Sequence, residues 1–174
     1  MFRLCRVKDV VRIPPDRFGE PLEDVAKDEL RNRYEGKVDS TLGLVITISN
    51  VEVDPEGFIL QGDGATYHSV VAELLTYYPV LNEVTLGEVV DVKKIGMYVN
   101  IGPIDAFIHI SQILDDKVFY DELQDILIGE ESKKAFRRGD VVRGRVVSVS
   151  INAPTSIRVA MTLRQPYLGK VEGE

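Results

Sequence analysis

The sequence has no tryptophan, one cysteine and two histidines among its 174 residues. A lone Cys5 excludes an internal disulfide and a cysteine-rich zinc site, and it fits a reducing cytoplasm. It sits in a strand-like stretch, which reads as a small core residue rather than a nucleophile. His68 and His109 have no neighbouring nucleophile pattern, so the enzyme classes built on Cys–His or Ser–His pairs are disfavoured. No apolar run approaches the ~18 residues of a membrane span, so no membrane partner is expected. Met1 to Arg6 lacks the apolar stretch of a signal peptide, which again points to the cytoplasm. Basic charge is also scarce: the formal net charge is −7, which argues against wholesale electrostatic binding to nucleic acid.

What basic charge there is lies late in the chain. Residues 1–85 carry 9 Lys and Arg against 15 Asp and Glu, whereas residues 137–164 carry six arginines and one acid, Asp140. A basic face is therefore expected only towards the C-terminal end.

Phe2 to Ile13 reads as a strand stopped by Pro14 and Pro15. After Pro21, the residues Leu22, Val25, Ala26, Leu30 and Tyr34 fall at helical spacing, and Gly36 terminates that helix. Leu42 to Val53 reads as a strand, Asp54 to Gly57 as a turn, Phe58 to Leu60 as another short strand, and Gly62-Asp63-Gly64 as a second turn. Thr66 to Val80 satisfies a helix pattern and a strand pattern alike.

From Leu86 the texture changes to five short β-type segments punctuated by glycine, as a small barrel requires. Between the third and fourth lies Asp115 to Phe136. There Phe119, Leu123, Ile126 and Leu127 fall at helical spacing and predict a helical insertion. The acids Asp115, Asp116, Asp121, Glu122 and Asp125 of that stretch could suggest a magnesium site, but on a solvated helix acids are usual. No metal and no cofactor is expected. The expected architecture is an α+β domain over residues 1–82, then an all-β five-stranded OB-fold barrel with a helical insertion over residues 83–174.

Strand alternation points to a binding face. With Met97, Val99 and Ile101 inward, Tyr98 turns outward; with Ile108 inward, Phe107, His109 and Ser111 share the opposite face. Two rings and an imidazole then stand on adjacent strands, where a nucleobase could stack for about 1–3 kcal/mol. The competing reading has Phe107 packed under the insertion and His109 satisfying a turn. Arg143 and Arg145 alternate with valines, and Arg158 and Arg164 do so on the last strand, so all four leave the core as phosphate contacts or as solvated charges.

The segments GEVVDVKKIGMYVNIGPIDAFIHISQI, RRGDVVRGRVVSVS and IRVAMTLR resemble the S-one type of RNA-binding OB-fold. The first half, with DVVRIPPDRFGEPLEDVAKDELRNRYEGKV, LGLVITISNVEV and GDGATYH, resembles the larger of the two stalk subunits of archaeal DNA-directed RNA polymerase, with the eukaryotic polymerase stalk subunits as more distant relatives. The resemblance implies a truncated ribonucleoprotein-like N-terminal domain that wedges against the RNA polymerase core through its tip, placed at Gly62, Asp63 and Gly64. It makes residues 66–80 a strand. It implies a heterodimer with the smaller stalk subunit, a role in guiding single-stranded RNA and supporting initiation and processivity, and no catalytic residue.

Residue by residue, the resemblance carries RNA contacts to Tyr98, His109 and Arg158. Phe107, Arg143 and Arg145 join them from the alternation alone. Two positions depart from the family pattern: Ile95 stands where an aromatic often precedes the glycine, and Ser150 stands where an acid often follows the fourth strand. One stacking platform is therefore missing, which suggests weaker, sequence-tolerant RNA binding. Two other readings compete: an RNA-binding subunit of a translation or RNA-decay complex, and an interaction protein whose barrel binds protein.

Overall fold

The structure, a computed structural model, describes residues 1–171. Their contacts form two compact units, one of Met1–Tyr78 with Asn152–Ser156 and one of Pro79–Ile151 with the chain from Ile157 onward.

In the first unit, β1 (Phe2–Ile13) is followed by α1 (Leu22–Tyr34), β2 (Val38–Asp39), β3 (Gly43–Ile59) and β4 (Thr66–Tyr77), with sheet order β1-β4-β3-β2. The register of β1 on β4 runs unbroken from Phe2↔Tyr77 to Ile13↔Thr66. Odd positions of β1, ending in buried Val11 and Ile13, face the helix, while Arg6, Lys8 and Arg12 stay exposed. α1 begins after Pro21, with Glu23 and Asp24 in its first turn and Arg31 and Arg33 in its last, as the helix dipole favours. Its buried face of Val25, Ala26 and Leu30 packs on Val11, Ile13, Val45, Ile48 and Leu74. Cys5 is half-buried, with its Sγ 3.7 Å from the Thr76 hydroxyl.

Two sequence expectations are corrected or resolved in this unit. Residues 66–77 are a strand, as the family resemblance implied. Residues 54–57 are no turn between two strands but an irregularity inside the continuous β3: Val53 pairs with Val70, and the next pair is Gly57 with His68. His68 explains the bulge. Its buried imidazole bonds the Asp54 carbonyl at 2.8 Å and the Thr66 hydroxyl at 3.1 Å, and a Cβ at Gly57 would collide with the ring. The extra β3 residues arch around that side chain.

Two carboxylates tie this unit together. Asp9 accepts from Arg33 Nη1 and the Tyr34 hydroxyl, both at 2.6 Å, and from the Val10 amide at 2.8 Å, joining β1 to α1. Burial pushes the Asp9 carboxyl up, but the hydrogen bonds from Tyr34, Val10 and Arg33 outweigh it, leaving the group below its usual range. Asp63 accepts both Arg12 nitrogens at 2.8 Å, the Tyr67 hydroxyl at 2.7 Å and the Ala65 amide at 3.1 Å. The Arg12 guanidinium foremost, then Tyr67 and Ala65, hold Asp63 well below the usual carboxylate range.

A depressed carboxylate contributes stability that is present above its unfolded value, near pH 4, and is lost as pH falls through the folded value. The melting temperature of the first unit is therefore expected to be flat near neutral pH and to drop below about pH 4. Asp9→Asn and Asp63→Asn should each flatten that drop. A wild-type slope in both variants, in thermal melts taken across the acid range, would contradict the assignment.

The second unit contains β5 (Val84–Lys93), β6 (Gly96–Asn100), β7 (Asp105–His109), β8 (Val118–Asp121), β9 (Ile126–Gly129), β10 (Ala135–Phe136), β11 (Val141–Asn152), β12 (Ser156–Thr162) and β13 (Gly169–Lys170). The order β12-β7-β6-β5-β11-β13, with β11 also pairing β12, closes a five-stranded barrel and leaves β13 on its flank. Val89, Met97, Val99, Ile108, Val142, Val159 and Met161 fill it.

The helical insertion expected over residues 115–136 is absent. That stretch forms a three-stranded antiparallel sheet, β10-β9-β8. Leu123, which helical spacing would bury, is 96% exposed, whereas Leu127 and Phe136 form the buried pair. The Asp121 carboxylate accepts from the Leu123 amide and Asp125 adopts a φ of 52°, so 121–125 is a hairpin turn between two β-rich triplets. Among the described residues no helix is long and apolar enough to cross a membrane.

Candidate nucleic-acid interface

The outer face of the barrel lines up in cross-strand rows. Tyr98 on β6 pairs with Phe107 on β7, and Phe107 pairs with Ala160 on β12. One step along, Asn100 pairs with Asp105, and extending the β7–β12 register by one residue brings Arg158 level with Asp105. One step the other way, Gly96 pairs with His109. Residues two apart on a strand share a face and lie about 7 Å apart, so these rows form a single surface.

The Tyr98 and Phe107 rings are 5.1 Å apart between centroids and tilted by 51°. Lys93 Nζ lies 5.2 Å from the Tyr98 centroid, in cation–π range. The small side chain of Ala160 leaves a groove beside Phe107. Its volume is about 500 Å³, and Tyr98, Phe107, Asp105, Arg158, Ser148 and Ser150 line it. Arg158 is exposed, and no carboxylate of the described chain forms a salt bridge with it.

His109 extends the surface. Its ring lies 6.4 Å from Phe107 in an edge arrangement. Its Nδ1 accepts from the Ser111 amide at 3.2 Å and lies 2.8 Å from the Ser111 hydroxyl, capping the turn at Ile110–Gln112. An accepting Nδ1 places the proton of a neutral imidazole on Nε2, which then serves as a donor at the edge of the site. Both sequence readings of His109 thus hold together: it satisfies a turn and it stands beside the rings.

The structure does not gather every predicted residue. Arg143 and Arg145 leave the barrel core, but they pair with Leu86 and Val84 on β5 and line no part of the groove. Arg145 is half-buried, and its Nε has no hydrogen-bond partner. Arg164 is committed elsewhere, donating to Asp115 at 2.8 Å and to the Ser111 carbonyl at 3.1 Å. Gly62, Asp63 and Gly64 lie in the first unit beside exposed Phe58, Ile59 and Leu60, with Gly62 at a φ of 91°. The sequence assigned no site role to Lys93, Asn100 or Asp105. Asn100 and Asp105 were within reach of the alternation that found Tyr98 and Phe107, since they occupy the next outward positions of the same two strands.

A second cavity of about 640 Å³ lies between the inserted sheet and the end of the chain, lined by Lys133, Lys134, Arg137 and Lys170 among aliphatic side chains. Its one aromatic, Phe136, is 1% exposed and offers no stacking face. Among the described residues no group of three or more metal-ligating side chains is assembled, the acids of residues 115–125 included.

A small barrel that presents paired rings and an arginine on one outer face defines a binding module of the OB class. Residues 78–151 match the S1 RNA binding domain, and residues 8–64 match the SHS2 domain found in the N terminus of Rpb7p/Rpc25p/MJ0397. The DNA-directed RNA polymerase subunit Rpo7 of Saccharolobus solfataricus is 49% identical over 173 residues, spanning 99% of this chain and 96% of that protein. Rpo7 of Sulfolobus acidocaldarius is 47% identical over 172 residues, spanning 99% and 94%. The polymerase II subunit rpb7 of Dictyostelium discoideum is 25% identical over 171 residues, spanning 98% of each chain. This chain belongs to the Rpo7 family of DNA-directed RNA polymerase subunits, and as such it is an accessory subunit, not the catalytic one.

Proposed function

We propose that this chain is a non-catalytic stalk subunit of RNA polymerase that holds nascent single-stranded RNA in the groove at Tyr98, Phe107 and Arg158. The observation that carries the reading is the convergence, in one groove, of two adjacent rings and an arginine without a salt-bridge partner, with the Lys93 ammonium over the Tyr98 ring beside it. Rings accept any base by stacking, and cations follow the phosphates. His109 adds a donor beside the Phe107 ring. Arg143 and Arg145, outside the groove, contribute only long-range charge. The chain pairs with a smaller stalk subunit and docks on the polymerase core through the tip at Gly62–Gly64, where exposed Phe58, Ile59 and Leu60 supply apolar surface. From there it supports initiation and processivity in the cytoplasm.

RNA binding tests the reading. Titration of the full chain into a fluorescent single-stranded oligoribonucleotide should give binding that weakens with salt, with a slope of about −0.7 per phosphate neutralised. Tyr98→Ala should weaken binding by about 1–3 kcal/mol, the value of one stacked base, and leave the thermal melt unchanged. Equal affinity in wild type and Tyr98→Ala would remove the groove from the RNA path.

A further inference from the structure

We propose that Asp105 makes this groove select guanine, so that the bound strand sets a guanine on the Tyr98–Phe107 rings with its Watson–Crick edge against Arg158 and Asp105. This deepens the RNA reading above and rests on it.

One carboxylate, Asp105, stands among the rings and the arginine that line the groove. Asp105 brings a carboxylate into the same groove from β7, and Ser150 and Asp105 both line it. An exposed acid inside a surface otherwise suited to RNA works against phosphate, so its presence calls for a base rather than backbone as its neighbour.

Asp105 is held in place. Asn100 Nδ2 donates to Asp105 Oδ1 at 2.8 Å, and Asn100 Oδ1 accepts from the Gly102 amide at 3.2 Å. Both ends of the Asn100 amide are used, so the amide cannot rotate without losing a bond, and Asp105 is pinned by a fixed donor. No other hydrogen bond reaches the Asp105 carboxylate within the described chain, so Oδ2 and the remaining lone pair of Oδ1 are free to accept. Ordering the acceptor in advance removes that cost from binding.

Position and polarity then choose the base. The Arg158–Asp105–Asn100 row lies two residues along the strands from the row carrying Phe107 and Tyr98, about 7 Å away. That is the reach from the centre of a stacked purine to groups bonded at its edge. Along the row the chain offers guanidinium donors and then carboxylate acceptors. Guanine alone among the four bases presents the complement in sequence: the O6 acceptor, then the N1–H and N2–H donors. Uracil places a carbonyl on either side of its single N–H, so one of them faces the carboxylate. Adenine and cytosine offer one amino group beside a bare ring nitrogen, whose lone pair also faces the carboxylate.

The test uses the full chain and a short oligouridylate, compared with the same oligomer carrying one guanine, adenine or cytosine at its centre, read by fluorescence anisotropy. The guanine oligomer should bind about tenfold more tightly than the all-uridine one, the discrimination a good two-bond contact gives. Adenine and cytosine should fall between. Asp105→Asn keeps the shape but removes the charge and one acceptor; it should bring the guanine oligomer to within about twofold of the all-uridine one. Equal affinities in the wild type, a preference for another base, or a guanine preference that survives Asp105→Asn would each overturn the proposal. Tyr98→Ala separates the two levels. If binding depends on Tyr98 yet shows no base preference, selection by Asp105 fails and the RNA groove stands. If no oligomer binds, both fall.

Discussion

Gly96→Val is expected to unfold the barrel. Gly96 opens β6, and on one side it pairs with His109 and on the other with Lys93. Its φ is 153°, a conformation that residues with a side chain rarely adopt. A Cβ there would run into the Ile108 carbonyl oxygen, and it would lie 2.9 Å from the Phe107 ring and 3.0 Å from the His109 Cα. The first and last of these are backbone atoms of the neighbouring strand, so no rotamer change relieves them. Relief requires β6 and β7 to separate, and with them the Ile110 amide bond to the Ile95 carbonyl. Strain, lost ladder bonds and displaced core residues Met97 and Ile108 together should cost about 3–5 kcal/mol, much of a domain's usual margin. Urea unfolding should show the loss, and RNA binding should vanish with it. Ile95→Ala, at an exposed neighbour, should change stability by no more than about 0.5 kcal/mol. A wild-type midpoint for Gly96→Val would mean that the β6–β7 contact is not the constraint described.

The same contact shows why the outer face of the barrel was legible in the sequence. A glycine that admits a neighbouring backbone, followed by strict alternation through Asn100, fixes which residues leave the core. Met97 and Val99 had to go inward, so Tyr98 had to face outward. The position of Arg158 followed from the last strand by the same rule. What alternation could not give is which outward residues meet across strands. Arg143 and Arg158 look equivalent along the chain, but one neighbours Leu86 on β5 and the other lies level with Asp105 on β7. Register across the barrel, including the irregularity between Val89 and Asp91, decides this, and register is a property of the closed sheet.

The fold was legible where one period dominated and illegible where two coincided. β1 and α1 each match one period over a dozen residues, and both formed where expected. Over residues 115–136, Phe119, Leu123, Ile126 and Leu127 satisfy helical spacing by accident. Their triplets Val118-Phe119-Tyr120 and Ile126-Leu127-Ile128 are β-formers flanking an aspartate-rich turn, and long-range pairing with Ala135 and Phe136 settled the outcome. The continuity of β3 through Asp54–Gly57 was hidden for a different reason. Local turn chemistry is present, and the Glu56 amide bonds the Asp54 carboxylate. A histidine fourteen positions away in sequence fills the arch and keeps the strand paired.

Leu30→Ala is expected to remove most of the stability of the first unit. Leu30 is 0% exposed and joins Val25 and Ala26 on the face of α1 that covers the sheet, against a cluster that includes Val11, Ile48 and Leu74. Alanine has a helix propensity at least as high as leucine, so the substitution leaves the intrinsic preference of α1 intact and tests packing alone. Deleting a fully buried leucine side chain costs about 2–5 kcal/mol, the upper part of the range applying where the site cannot collapse. Collapse is hindered here because the facing residues sit on paired β-strands, and Asp9, bonded to Arg33 and Tyr34, fixes the far end of the helix. The 83 residues of this unit, built on one sheet and one helix, bury proportionally little surface, so a loss of this size approaches the whole margin. α1 is the only α-helix among the described residues, which makes the helical circular-dichroism band a direct reporter of this unit. That band should melt at a much lower temperature in Leu30→Ala. Asn32→Ala, on the exposed side of the same turn, should melt as the wild type does. Equal melting of all three proteins would show that the apolar face of α1 contributes little to holding it on the sheet.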